Sequence, residues 1–140
     1  MPAMLLDLRF HLRVVGVLLL LVAGMHAFVP ARFAWRSEIS RLSPVNQRIL
    51  VSHCIFIVLL VLLTGILATF FAPLLLNHTP LAQLVLAGMS IFWLAKLAGQ
   101  VALFSSGTAR SGRFGLATHV LFCCLWSYIG GVCLVAWILS

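Results

Sequence analysis

The sequence predicts an all-α integral membrane protein, a single membrane domain over residues 1–140 in which four transmembrane helices form an up-down bundle. Three observations predict it. Of the 140 residues, 64% are hydrophobic and 8% charged, and the mean hydropathy is +1.21, whereas ordinary soluble domains carry roughly a quarter charged residues. Such a chain lacks the polar residues to clothe a water-soluble globule. A soluble enzyme, a disordered tail and a disulfide-stapled secreted module are excluded on that ground. Second, the apolar residues gather into four runs, each near the roughly 20 residues that a helix needs to cross about 30 Å of hydrocarbon. Third, the connections between the runs are short and leave little chain for any extramembrane domain.

The first span is expected over about 14–29, with Arg13 before it and Pro30 and Arg32 after it. It falls a few residues short, but Arg9 and Arg13 can snorkel and let the helix begin earlier. The second is expected over about 49–72, stopped by Pro73. Its helix is expected to start in water, because Ser43-Pro44 resembles a helix entry with Ser as N-cap and Pro at the first helical position. The third, over about 81–104, follows Pro80 and is expected to break at Ser105-Ser106-Gly107. The fourth covers about 114–139. Helices joined by such short loops form up-down bundles.

The net charge is +7, from nine basic and two acidic residues. In a soluble chain that excess would point to nucleic acid. Here eight of the nine are Arg near the ends of apolar runs, with no nucleic-acid-binding motif, so no nucleic-acid partner is expected. The excess reads as a topology signal instead. Arg32, Arg36, Arg41 and Arg48 lie in the first loop and Arg110 and Arg113 in the third, against Arg9 and Arg13 on the opposite side. The positive-inside rule then places the two basic loops in the cytoplasm and both termini outside, with a bacterial inner membrane as the expected location. Phe33 and Trp35 suit an interfacial aromatic belt. Arg9, Arg13, the apolar core and Val29-Pro30-Ala31 also resemble a cleavable signal peptide. Cleavage would leave the first-loop arginines outside, against the charge rule, so an uncleaved first helix is expected.

Polar groups within a bilayer are costly and are the default functional candidates. The spans hold no Asp or Glu, the two acids being Asp7 and Glu38. Proton exchange on a membrane carboxylate and carboxylate-bound di-iron chemistry are therefore excluded. His26, His53 and His119 fall on three different spans, roughly 5 to 8 Å inside the same boundary by helical rise. Imidazoles at similar depth are what a haem or transition metal requires of a bundle, so these three are the candidate ligands. The plainer alternative is three separate hydrogen-bonding residues near a membrane face.

Lys96 is the only mid-span charge, about 12 Å below the boundary, and Gln100 follows one turn on. The pair is a candidate site for an anionic lipid or a quinone oxygen, with snorkelling as the plainer alternative. His119, Cys123, Ser127, Gly130 and Gly131 share one face of the fourth span, and Gly88, Ala95, Gly99 and Ala102 one face of the third. Such small-residue stripes are expected to pack helices closely. Cys54, Cys123, Cys124 and Cys133 include no C-x-x-C, so buried, inert thiols are expected. Asn77-His78-Thr79 matches a glycosylation sequon, but Pro80 follows it at the membrane face and it is discounted. These features favour a non-catalytic assembly or accessory module that packs against other membrane components, as a homo-oligomer or in a larger complex. The alternatives are a haem- or metal-binding redox protein and an anionic-lipid or quinone binder.

Overall fold

The computed structural model of the chain describes residues 2–26, 35–108 and 112–140. Of these residues 91% are helical and none is in a strand. The helices are α1 (Pro2–Met25), α2 (Trp35–Ile39), α3 (Pro44–Phe70), α4 (Ala72–Leu75), α5 (Pro80–Thr108) and α6 (Gly112–Leu139). Four contain stretches long and apolar enough to cross a membrane: Leu8–Met25, Pro44–Phe70, Pro80–Leu103 and Gly112–Leu139. The all-α class with four spans is thereby found, and the chain is a multi-pass membrane protein. Val29-Pro30-Ala31, Arg32, Phe33 and Arg110, used above for the cleavage site, the aromatic belt and the charge count, lie outside the described residues.

The helix boundaries have local causes. At Ser43 the backbone is extended (φ −60°, ψ 151°) and the hydroxyl accepts the N–H of Asn46 at 3.4 Å, with Pro44 as the first helical residue. This is the N-cap expected from the sequence, and it starts the helix five residues before the expected span. The far end of α3 is set by Pro73, whose missing N–H and bulky ring are incompatible with a continuing helix. The helix stops at Phe70, and Pro73 falls within the short α4. Thr79 repeats the device of Ser43: its hydroxyl accepts the N–H of Ala82 at 3.3 Å, and Pro80 opens α5.

Two boundaries can be set beside expectation. α1 runs without interruption from Pro2 past Arg9 and Arg13, the earlier start that snorkelling arginines allow. Its apolar stretch covers Leu8–Met25, and the expected end at 29 lies outside the described residues. The third helix does not break at Ser105-Ser106-Gly107 but continues to Thr108. Ser and Gly lower helix propensity by at most about 1 kcal/mol per residue, and unlike Pro they keep the N–H that the ladder needs. Gly112 opens α6 with φ +74°, a backbone state that side chains strongly resist.

The chain divides into two compact units, residues 13–71 and residues 1–12 with 72–140. In the first, α1 buries Val15, Leu19, Val22 and Ala23, and α3 buries Val61, Gly65 and Ala68. Their backbones meet at glycines. A Cβ on Gly16 would collide with the hydroxyl and amide of Thr69 and lie 2.8 Å from the Gly65 carbonyl oxygen. One on Gly65 would lie 3.1 Å from the Gly16 carbonyl oxygen.

In the second unit α5 buries Ala82, Leu86, Met89, Ser90 and Trp93, while α6 buries Trp126, Ile129, Gly130, Cys133 and Ala136. Spacings of three and four put each set on one helical face. Within the chain, a Cβ on Gly88 or Gly99 of α5 or on Gly131 of α6 would meet nothing within 4 Å, so these glycines make no close helix contact among the described residues. Large residues occupy the packed face of α5 instead. Gly130 alone of these is needed for approach, since a Cβ there would lie 2.8 Å from Leu94 Cδ2.

Candidate functional site

The helices α5 and α6 run antiparallel, so facing residues rise in number on one as they fall on the other. Near one end the Gln83 amide donates to the Ser140 carbonyl oxygen at 2.7 Å. Towards the other, Gln100 meets His119. Between these polar ties lies an aromatic stack. The rings of Trp93 and Trp126 are 5.2 Å apart and 12° from parallel, and Phe122 extends the stack at 5.7 Å and 17°. Phe92 meets Trp93 edge-on at 4.9 Å. Trp93 and Trp126 are 1% and 4% exposed, and neither buried indole N–H has an acceptor. Unmade hydrogen bonds of this kind cost about 1–3 kcal/mol each.

Lys96, one turn beyond Trp93, is exposed, and its Nζ stands 5.8 Å from the centroid of the Trp126 ring. The indole face carries the negative lobe of the ring quadrupole and attracts the ammonium. One turn further, the Gln100 side-chain nitrogen donates to His119 Nδ1 at 3.2 Å. Accepting there leaves the proton on Nε2, which points to Cys123 Sγ at 3.7 Å. The sequence candidates Lys96 and Gln100 thus share a helix but turn to different residues of α6. His119 has both ring nitrogens engaged, and a metal there would have to displace Gln100 or Cys123.

The other two histidine candidates are placed differently. His26 Nδ1 donates to the Val22 carbonyl oxygen at 2.7 Å, and His53 Nδ1 to that of Ile49 at 2.9 Å. Each bond stays within its own stretch of helix and leaves Nε2 as the nitrogen with a free lone pair, the tautomer that metal-ligating histidines commonly adopt. His26 and His53 belong to the unit of residues 13–71 and His119 to the other. Among the described residues no group of three or more His, Cys, Asp or Glu is gathered so as to hold a metal ion. All four cysteines are free thiols, with Cys133 buried and Cys124 exposed.

Sequence reasoning passed over one polar contact. His11 Nδ1 and the Tyr128 hydroxyl are hydrogen-bonded at 2.8 Å, and their rings meet at 6.1 Å, inclined by 63°. The imidazole tautomer decides which of the two donates. His11 precedes the expected start of the first span at residue 14 and was not weighed among the polar residues of the spans. It falls within the apolar stretch Leu8–Met25. The turn at Asn77-His78-Thr79 is likewise tightly built. His78 has φ +59°, and Asn77 Oδ1 accepts from the Thr79 amide at 3.2 Å and the Thr79 hydroxyl at 2.9 Å.

No protein-family model, curated protein or solved structure matches the chain.

Proposed function

We propose that this protein is a non-catalytic assembly or accessory module of a membrane, and that its partner engages the face of α5 bearing Lys96. The observation that carries the reading is an exposed mid-span ammonium with no carboxylate in any span of its own chain. An intramembrane cation is costly without a partner, and the Trp126 ring offers only partial compensation. A carboxylate on a helix of another membrane protein would complete the pair. Exposed Ile91 and Phe92 lie within the same two turns and supply apolar contact beside it. In this reading the four spans form an up-down bundle in a bacterial inner membrane. Both termini then lie outside the cytoplasm and the arginine-bearing loops within it.

The test is extraction of the intact protein in lipid nanodiscs with native membrane, followed by sizing and mass spectrometry. Wild type is expected in a complex with a second membrane protein, and Lys96→Met is expected to release it from that partner. A wild-type protein recovered solely as a monomer overturns the reading.

A second reading gives Lys96 an anionic lipid headgroup, reached by snorkelling towards the end of α5. It is supported by the same exposure of the ammonium. It fails if Lys96→Met leaves both the co-purified lipids and the thermal stability unchanged. A haem or metal role for His26, His53 and His119 draws support from the free Nε2 of the first two. A purified protein without visible absorption and without bound iron, copper or zinc overturns it.

A further inference from the structure

In the unit of residues 1–12 and 72–140, α1 and α6 line an open groove of about 360 Å³, with His11, Ser127 and Val135 exposed along it. Its lining is formed by Leu8 and His11 of α1 and by Ser127, Tyr128, Gly131, Val132 and Val135 of α6. That volume lies within the range of small-molecule sites, which are mostly apolar with a few convergent polar groups. The polar groups here are the hydrogen-bonded His11–Tyr128 pair and the neighbouring Ser127 hydroxyl. Leu8 lies one turn from His11 towards the N-terminus, and Val132 and Val135 lie one and two turns from Tyr128 towards the C-terminus. The groove is therefore polar beside His11 and Tyr128 and apolar towards the start of α1 and the end of α6.

We propose that this groove binds a neutral, lipophilic molecule with a carbonyl head, the chemistry of a membrane quinone. Its lining holds no Lys, Arg, Asp or Glu, so no fixed counterion for a charged headgroup stands there. An uncharged carbonyl needs a hydrogen-bond donor, and the His–Tyr pair supplies one in either tautomer. If Tyr128 donates to Nδ1, the imidazole N–H lies on Nε2 and is free to donate. If Nδ1 donates to the tyrosine oxygen, the phenolic proton is free. Gly131 gives the body of the ligand its room, since a Cβ there would meet nothing within 4 Å. The site stands apart from Lys96 and does not depend on the assembly reading.

The experiment is equilibrium binding of decylubiquinone to the full-length protein in nanodiscs of zwitterionic lipid, with oleate as the charged comparator. Wild type should bind the quinone saturably and oleate at least tenfold more weakly. Tyr128→Phe, which removes one hydroxyl and keeps the ring, should weaken quinone binding about five- to tenfold. Gly131→Leu should abolish saturable binding while leaving the helical circular dichroism and the melting temperature near wild type, because its side chain fills open space. Absence of saturable binding to wild type overturns the proposal, as does binding unchanged in both variants. Oleate bound as tightly as the quinone overturns the neutral-ligand assignment.

Discussion

In the unit of residues 13–71, Gly16 and Gly65 bring two backbones into contact. In the unit of residues 1–12 and 72–140, Trp93 and Trp126 fill the space between two helices with stacked rings. Both are built from segments apolar enough to cross a membrane, so hydrophobicity alone does not explain the difference. Lipid tails are as apolar as leucine, and helix association in a membrane rests on packing and hydrogen bonding. The first unit relies on shape alone at its crossing. The second adds polar ties, from Gln83 to Ser140 and from Gln100 to His119, at either side of its stack. Among the described residues, the second is where polar groups gather into a cluster with chemistry to offer.

The contrast can be broken most severely at the stack. Trp93→Ala removes a ring that is 1% exposed and leaves a cavity beside Trp126, with an expected loss of about 3–5 kcal/mol. Reversible unfolding in mixed micelles would measure it, and a loss under about 1 kcal/mol would mean that the stack is not what holds α5 to α6. Next comes Gly16→Ala, whose new methyl meets the backbone of Thr69 and Gly65 and has nowhere to move. About 1–3 kcal/mol should be lost, seen as a fall in melting temperature. Gly130→Ala meets the far end of the Leu94 side chain first, and a rotamer shift can relieve it for about 1 kcal/mol. Smallest is Gln100→Leu, which removes one hydrogen bond to His119 and should cost about 0.6 kcal/mol in a membrane setting. A Gly16→Ala variant milder than Gly130→Ala would reverse the distinction between a backbone crossing and a side-chain contact.

The legible part of the fold was the part written in local chemistry. Ser43-Pro44 announces a helix start because a hydroxyl and a proline meet the needs of a first turn, and the structure bonds that hydroxyl to Asn46. Thr79-Pro80 carries the same signal, which could have been read in the same way. The four spans were legible from apolar run length. Helix rotation was not, because a segment apolar all round has no periodic marker of its packed face. Gly88 and Gly99 were read as a packing stripe, within the chain or across a homodimer, and the close contacts within the chain fall at Gly16, Gly65 and Gly130. Lys96 with Gln100, and His119 with His26 and His53, were found as candidates because polar residues in a span are rare, while Cys123 was read as an inert thiol on a small-residue stripe. The contact of Gln100 with His119 across α5 and α6 depends on that rotation and was not visible. His11 was missed because it precedes the expected start at residue 14.

The capped start of α3 has a consequence in the dimension of bilayer thickness. Its 27 residues and the 28 of α6 make rods of about 40 Å and 42 Å, against about 30 Å of hydrocarbon. The surplus is roughly two turns in each, and in both helices the most polar turn comes first, with Arg48 in α3 and Arg113 in α6. Those arginines can reach the phosphate level while the apolar remainder tilts to fit the slab beneath. Hydrophobic mismatch costs only fractions of a kcal/mol per ångström, so tilt is the soft coordinate of these helices. In a thinner bilayer they lean further, and in a thicker one they stand up, with the guanidinium groups holding the level at one end.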